Sequence, residues 1–179
     1  MARIAVVYSS AYGSTKQYAQ WIAAALGADL LALTKQSAQN LAAYDIIVCG
    51  GGLYAGQIAG MPLIRKYFPA WKSKPVALFT VGLVPPQNLE YYRELLRRQL
   101  SPEMHAKIRA FHFPGGIDYS RLSARHRAVM NVLRFALKRK NPQKLSDDER
   151  AILASFGKAV NAAEESNIEP LLGYICGLE

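Results

Sequence analysis

The residues best suited to binding chemistry form a short loop near the N-terminus, between an apolar run and a helical pattern. The loop reads SSAYGST and places Ser9, Ser10, Gly13, Ser14 and Thr15 within seven residues. Hydroxyl groups and the unpaired N–H groups at the start of a helix bind anions, because the helix dipole favours negative charge there. The loop has no lysine or arginine, so it should hold an anion through neutral donors. The alternative is an ordinary strand-to-helix turn with an N-cap.

The spacing of this loop excludes the two most familiar phosphate motifs. A dinucleotide fingerprint, G-x-G-x-x-G, needs two further glycines, and a P-loop, G-x-x-x-x-G-K-[ST], needs an earlier glycine and a lysine. The residues instead resemble the phosphate loop of flavodoxins, commonly [ST]-x-T-G-x-T, which holds the monophosphate of FMN. Tyr12 departs from that pattern, because it replaces a threonine hydroxyl and leaves only its backbone N–H. The resemblance implies cofactor binding by Ser10, Ala11, Tyr12, Gly13, Ser14 and Thr15.

Apolar runs alternate with helical patterns along the chain, which predicts a parallel sheet covered by helices on both faces. The predicted strands span residues 3–8, 28–34, 45–49, 75–84 and 108–113. The predicted helices span residues 14–26, 62–68, 89–100, 120–140 and 146–163, and the apolar tail should dock on the body. We therefore predict an α/β, flavodoxin-like three-layer sandwich with a five-stranded parallel sheet in the order 2-1-3-4-5. Residues 1–179 should form a single domain, with a basic helical insert after strand 5 at about 119–145.

Two further loops fall where such a fold binds its ligand, at the carboxyl ends of the strands beside the switch between strands 1 and 3. The sequence GGGLYAGQIAG follows strand 3, where Tyr54 is placed to stack on a flavin ring and glycines allow close approach. The sequence TVGLVPPQN follows strand 4 and should form the other wall, with Gly82 turning toward the flavin N5. A glycine-rich turn with Tyr54 at the surface remains the alternative. The further predicted cofactor contacts are Leu53, Tyr54, Ala55, Gly56, Thr80, Val81, Gly82, Leu83, Val84, Gly116 and Asp118.

The net charge of +9 comes from one segment of the chain. No acidic residue lies between Asp118 and Asp147, and without the basic residues of that window the rest of the chain is close to neutral. Electron-carrier flavodoxins are typically strongly acidic, so a plain carrier fits this composition poorly. The basic residues of the window are Arg121, Arg125, Arg127, Arg134, Lys138, Arg139, Lys140 and Lys144.

The helix predicted within this window is amphipathic. At 100° per residue, Leu122, Val129, Leu133, Ala136 and Leu137 share one face, and basic residues occupy the opposite face or flank the apolar stripe. Such a helix suits an anionic membrane surface or the propionates of a porphyrin. A helix packed on the sheet edge with a solvated basic face is the simpler alternative. The residues expected to contact substrate or membrane are Arg121, Arg125, Arg127, Arg134, Lys138 and Arg139.

Three short motifs narrow the resemblance. The sequence GGIDYSRLS with the basic helix behind it, GLYAG after strand 3 and FTVGLV after strand 4 are similar to the flavodoxin-domain family of the menaquinone-dependent protoporphyrinogen oxidases (protoporphyrinogen IX dehydrogenases). The resemblance implies an FMN-dependent oxidoreductase of haem biosynthesis that oxidises protoporphyrinogen IX to protoporphyrin IX. A membrane quinone would be the acceptor, with the protein peripheral on the inner face of the membrane. No catalytic side chain is predicted, because the flavin carries the chemistry.

Two other functions remain open on the sequence alone. One is a flavodoxin-type FMN electron carrier that docks an acidic partner through the basic helix. The other is an NAD(P)H:quinone reductase, although no nicotinamide-binding signature is present. A nucleic-acid groove is disfavoured, because few aromatic residues are interleaved with the basic ones. The oligomeric state is open, with a homo-oligomer as one option.

The remaining residues with reactive side chains predict neither a metal site nor a disulfide framework. Cys49 lies in an apolar run and should be a buried thiol, while Cys176 and the three histidines have unrelated spacings. Free thiols favour a reducing, cytoplasmic compartment, and the N-terminus lacks the features of a signal peptide. Residues 46–64 carry no charge and are long enough to span a membrane. Their glycines and proline predict a strand, a loop and a helix start instead.

Overall fold

The computed structural model describes residues 2–54, 56–117, 124–156 and 160–178. Its sheet is formed by β1 (Ile4–Ser9), β2 (Asp29–Ala32), β3 (Ile46–Tyr54), β4 (Gln57–Ile58), β5 (Val76–Gly82) and β6 (Ile108–Pro114). The order is β2-β1-β3-β5-β6 with every neighbouring pair parallel, and the short β4 returns antiparallel along the end of β3. The predicted order 2-1-3-4-5 is confirmed, because the fourth and fifth predicted strands are β5 and β6.

Helices follow the strands in the alternation that the sequence predicts. They are α1 (Ser14–Leu26), α2 (Lys35–Asn40), α3 (Met61–Tyr67), α4 (Leu89–Gln99), α5 (Pro102–Lys107), α6 (Ala124–Arg139), α7 (Asp147–Ser155) and α8 (Glu169–Cys176). Gly27 ends α1 in the left-handed region at φ 58°, which a glycine adopts without strain. Ser146 and Glu149 form the predicted capping box at the start of α7. The sequence analysis had not assigned α2, α5 or α8 as helices.

The sheet is buried on both faces, which explains why its strands are apolar throughout. On one face, Val7, Cys49 and Leu78 pack in a core with residues of α3, α4 and α5. On the other face, Val6 and Val48 pack against α1 and α8. The predicted three-layer flavodoxin-like sandwich is confirmed, and the apolar C-terminal tail docks on the body as α8.

The glycine-rich segment after residue 49 is strand rather than loop. Gly51 pairs with Ser9 on one side and Thr80 on the other, so β3 runs on to Tyr54. The ring of Phe79 lies against Gly50, and a Cβ there would overlap it. The glycines therefore admit a neighbouring aromatic ring to the sheet instead of breaking the strand.

The helix predicted over residues 146–163 is shorter than its pattern suggested. α7 ends at Ser155, and Phe156 already has extended backbone. Val160–Asn161 then forms a strand, β8, antiparallel to β7 (Gly116–Ile117) beyond the end of β6. Pairing with β7 competes with continuation of the helix, which a local periodicity cannot reveal.

None of the helices in the described ranges is long and apolar enough to cross a bilayer. The uncharged stretch over residues 46–64 includes β3, β4 and the first turn of α3, so the predicted strand and helix start are confirmed, while most of the predicted loop belongs to the two strands.

Candidate functional site

A cavity of about 220 Å³ lies at the carboxyl ends of the central strands, beside the predicted switch point. The loop after β1, the end of β3 and the loop after β5 form its walls, and α6 and α7 lie over it. Its lining residues are Tyr12, Ser14, Thr15, Leu53, Tyr54, Val81, Gly82, Leu83, Gly115, Gly116, Met130, Leu133 and Ile152. The cavity thus joins three hydroxyl-bearing loop residues to a mainly apolar interior.

The first loop leads directly into the N-terminus of α1. Gly13 is the N-cap residue at φ 98° and has no side chain to offer the first-turn N–H groups, which leaves them available to a ligand. Its own N–H donates to Ser10 Oγ at 3.1 Å, which fixes the turn. Ser14 Oγ donates to the Gly116 carbonyl oxygen at 3.3 Å, and Thr15 is buried at 2% exposure. The loop is therefore a braced strand-to-helix turn at the cavity edge.

Ser10, Ala11 and Gly13 line a second crevice on the outer side of the same loop, and not the cavity. Lys16 lines this crevice as well. A cationic side chain therefore lies one residue beyond the loop, which the sequence analysis had treated as purely neutral.

Two tyrosines meet between the first and second loops. The rings of Tyr12 and Tyr54 contact edge to face at 5.3 Å. Tyr54 Oη accepts a hydrogen bond from the Ala11 N–H at 3.0 Å, and Gly52 makes room because a Cβ there would overlap the Tyr54 ring. Burial raises the pKa of the Tyr54 hydroxyl, so this group stays protonated at neutral pH. Tyr12, the residue that departs from the flavodoxin pattern, also packs against Met130 as part of the cavity wall.

The third loop lies close to the other two through its backbone. The Gly115 N–H donates to the Gly82 carbonyl oxygen at 2.6 Å. A Cβ on Gly82 would lie 2.9 Å from Leu53 Cδ1, so glycine permits this approach. Val81, Gly82 and Leu83 line the cavity, whereas Thr80 and Val84 are buried behind it.

A buried polar pair lies behind that third loop. Thr80 Oγ1 and His112 Nδ1 are 2.7 Å apart, and the His112 ring stacks on Tyr92 with centroids 3.8 Å apart. Tyr92 Oη donates to the Val84 carbonyl oxygen at 2.7 Å. Burial lowers the pKa of His112 to about 4, so the ring is neutral at pH 7. This arrangement ties α4, β5 and β6 to the cavity wall.

The helix α6 covers the cavity with one face and presents basic residues on others. Met130 and Leu137 are buried, and Met130 packs with Tyr12, Leu83 and Leu133. The predicted apolar positions Leu133 and Leu137 do face the body, while Met130 and Ile152 were missed as cavity residues. A sequence does not distinguish apolar residues that line a cavity beneath two helices from apolar residues that pack in an ordinary core. The residues Arg127, Arg134, Lys138 and Arg139 are exposed.

The outward side of α6 carries an unexpected apolar pair. Val132 is 70% exposed and Phe135 is 59% exposed. The Arg139 guanidinium lies 4.2 Å from the centroid of the Phe135 ring, a cation–π contact. The Arg134 guanidinium lies 5.2 Å from the centroid of the Phe156 ring, so this contact links α6 to the residue that follows α7.

Several predicted contact residues lie outside the described part of the chain or away from the cavity. Ala55, Asp118 and Arg121 lie outside the described residues, as does the side chain of Arg125. Gly56 has φ 71° and lies near the Asp148 carboxylate, away from the cavity lining.

The cysteines and ionisable groups supply no separate reactive centre in the described part of the chain. Cys49 is buried, and desolvation raises the pKa of its thiol to about 12, so it is not a nucleophile at neutral pH. Across the described ranges, His, Cys, Asp and Glu form no group able to hold a metal ion.

The residues of the cavity fit FMN. Hydroxyl and N–H donors at the start of α1 suit a phosphate monoester, and the mainly apolar walls suit a flat ring system. Glycine at positions 82 and 115 lets the segments that form the cavity wall approach each other closely.

Solved structures similar to this chain at low sequence identity include flavodoxins, other flavoproteins and a response regulator. Flavodoxin 2 from Bacillus cereus in its oxidised form is 15% identical, with 86% of this chain and 94% of that chain covered and a TM-score of 0.40. A flavoprotein from Lactobacillus acidophilus NCFM, solved in complex with FMN, is 16% identical over 64% and 93%, with a TM-score of 0.42. A P. pentosaceus protein described as an NADPH-quinone reductase is 14% identical over 74% and 94%, with a TM-score of 0.40.

At the level of sequence, no curated protein matches this chain significantly. Residues 5–144 match the family described as flavodoxin domain, and this match covers all three predicted loops. The match identifies the flavodoxin domain and does not distinguish the protoporphyrinogen oxidases from other proteins with this domain. The match confirms FMN as the predicted cofactor. Since it spans well over half of the sequence, the chain belongs to the flavodoxin domain family.

Proposed function

We propose that this chain is an FMN-dependent oxidoreductase that oxidises protoporphyrinogen IX to protoporphyrin IX and passes the electrons to a membrane quinone. The observation that carries the proposal is a flavin-sized apolar site roofed by a helix whose exposed surface is basic. FMN, when bound, would supply the two-electron redox chemistry. The similarity of the GGIDYSRLS and GLYAG segments to the protoporphyrinogen oxidases supports the choice of substrate.

The residues of the cavity would bind and orient the cofactor. Ser14, Thr15 and the first-turn N–H groups of α1 would hold the phosphate. Tyr54, Leu83 and the α6 residues over the cavity would contact the ring and exclude water from it. Excluding water strengthens the electrostatic effect of the remaining polar groups on the reacting ring.

The basic surface of α6 would recruit the anionic substrate. Protoporphyrinogen carries propionates, which pair well with arginine through charge-assisted hydrogen bonds. Arg127 and Lys138 are exposed on the helix that covers the flavin cavity. Substrate drawn to them would lie near the cavity mouth, where the reaction would take place.

The outward apolar pair on α6 supports a peripheral position on the membrane. Val132 and Phe135 point away from the body among basic residues, a pattern that binds interfaces containing anionic lipid. Phe135 would enter the acyl boundary while the surrounding lysines and arginines meet the headgroups. A quinone dissolved in that membrane would then be close to the flavin site.

Replacing Phe135 by serine should weaken binding to phosphatidylglycerol vesicles about tenfold, because transfer of a phenyl ring into the interface is lost. Leu178→Ser is the matched control, since Leu178 is also exposed, at 41%, but lies beyond α8. Co-sedimentation with vesicles measures both variants against the unmodified protein, and added salt should weaken all binding. Equal losses in the two variants would show that α6 is not the membrane face.

The activity is tested with protein reconstituted with FMN, protoporphyrinogen IX and menadione as a soluble quinone. We expect protoporphyrin fluorescence to rise only when protein, FMN and quinone are all present. If the protein binds FMN but forms no protoporphyrin above the rate of autoxidation, the substrate assignment is wrong. Reduction of the bound flavin by NAD(P)H in the same samples would favour the quinone reductase alternative.

A further inference from the structure

A second cavity, of about 390 Å³, adjoins the first across the loop that follows β5. The two cavities share Gly82, Leu83 and Gly115 as lining residues. A Cβ on Gly115 would lie 3.0 Å from Val81 Cγ1 and 3.1 Å from the Gly82 carbonyl oxygen. The backbone at Gly115 and the end of β5 therefore pack closer together than a larger residue at position 115 would allow. The partition is therefore thin, made of two hydrogen-bonded backbone segments and the side chain of Leu83.

The walls of the second cavity combine flat apolar surfaces with fixed polar groups. Pro85, Pro86 and Phe113 supply apolar surface, and His112 and Asn167 supply hydrogen-bonding groups. The His112 ring is held by the hydroxyl of Thr80 and by stacking on Tyr92. The Asn167 amide donates from Nδ2 to Tyr18 Oη at 3.0 Å, which fixes its orientation. Both polar groups are thus positioned before any ligand arrives.

The charge of this cavity disfavours anionic ligands. Among the described residues, its lining contains no lysine or arginine. Burial raises the pKa of the Tyr18 hydroxyl, so the group that faces Asn167 is neutral at pH 7. A nucleotide or a porphyrin with propionates would find no counter-ion there. A neutral planar ring with carbonyl oxygens at its edge matches both the apolar walls and the polar groups.

We propose that this second cavity binds the head group of the quinone acceptor, beside the flavin cavity instead of within it. The proposal rests on the proposed function, in which FMN occupies the first cavity. The quinone gains two electrons and two protons there and becomes the hydroquinone. FMN bound in the first cavity and reduced by the donor would supply the two electrons across the thin partition, the donor's protons would be released to solvent, and the quinone would take its two protons from solvent at the exposed rim beside Ala162. Donor and acceptor would therefore not compete for one site.

Calorimetric titration of menadione into the oxidised, FMN-loaded protein tests the site without turnover. Ala162 lines the second cavity and is exposed, so a tryptophan there would obstruct the cavity from its solvent side. We expect Ala162→Trp to weaken menadione binding at least tenfold, while the matched control Ala162→Ser binds as the unmodified protein does. Gln87→Trp, at another exposed lining position, is a second blocking variant if the first binds FMN poorly.

The outcomes separate this proposal from the proposed function. Absorbance spectra first establish that each variant holds FMN, and a chain that takes no FMN overturns both. Unchanged menadione affinity in both tryptophan variants, or no binding by the unmodified holoprotein, overturns the second site alone. Absence of protoporphyrinogen oxidation together with menadione binding blocked at Ala162 overturns the substrate and leaves the quinone site standing.

Discussion

An aspartate at position 14 should weaken FMN binding about 1000-fold and change riboflavin binding by less than threefold. Ser14 is the first residue of α1 and lines the cavity beside the unpaired N–H groups. A carboxylate there would face the cofactor phosphate, and two like charges about 4 Å apart interact by about 4 kcal/mol at an effective dielectric constant near 20. Riboflavin has no phosphate and would not experience this repulsion. Fluorescence titration of apoprotein with each flavin measures both affinities.

The variant should still fold, although it loses the hydrogen bond that the Ser14 hydroxyl donates to the Gly116 carbonyl oxygen. Helix α1 has no acidic residue in its first turn, and a carboxylate at that position interacts favourably with the helix dipole. Ser14→Asn is the matched control, because it has nearly the same shape without the charge. A parallel loss of FMN and riboflavin affinity in Ser14→Asp would mean that the loop does not hold the phosphate.

The position of this loop is the part of the site that a sequence predicts well. Local sequence predicts three consecutive elements here. A continuous apolar run predicts the strand, the small hydroxyl residues predict the turn, and the helical period predicts the start of α1. The alternation of such units predicts the parallel sheet, and the right-handed connections restrict its order. The ends of β1, β3 and β5 then meet at one edge, which predicts that Ser14, Tyr54 and Leu83 lie together, as they do in the cavity lining.

The contacts that depend on distant packing were not predictable in this way. Gly50 reads as a loop residue until the Phe79 ring is seen to occupy the space beside it. Met130 and Ile152 come from α6 and α7, and their place over the cavity depends on how those helices fold back. The residue type of Phe135 predicts a core position, but Phe135 is exposed because the buried positions of α6 lie on its other face. Each case is decided by tertiary contacts that local periodicity does not encode.

Tyr12 departs from the flavodoxin pattern, and its packing in the folded chain gives this departure a structural role. The flavodoxin pattern has a hydroxyl-bearing threonine there, and the loss of that hydroxyl looked like a weakness of the phosphate loop. In the folded chain the ring of Tyr12 lies against Tyr54 and Met130 and lines the cavity. The substitution therefore extends the apolar wall toward the helix α6, which an ordinary flavodoxin pattern does not specify.

Acidification should destabilise this protein through His112 more than through an average histidine. The folded-state pKa is about 4, lowered by burial, whereas an unfolded histidine titrates near 6.5. Between these values the unfolded chain binds a proton that the folded chain excludes, so stability falls as the pH drops from about 6.5 to 4. The shift corresponds to a loss of about 3 kcal/mol over that whole range, and of about 2 kcal/mol by pH 5.

Urea denaturation at pH 7 and pH 5 measures this loss, with His112→Phe as the comparison. Phenylalanine preserves the stacking on Tyr92 but cannot titrate, so its free energy of unfolding should fall about 2 kcal/mol less between the two pH values. The carboxylates, including Asp148 near Tyr92, titrate in both proteins and cancel in the difference. Thr80→Val added to His112→Phe removes the hydroxyl left unpaired and should restore stability at pH 7 without restoring the pH dependence. An equal pH dependence in all three proteins would mean that burial does not lower the folded-state pKa of His112.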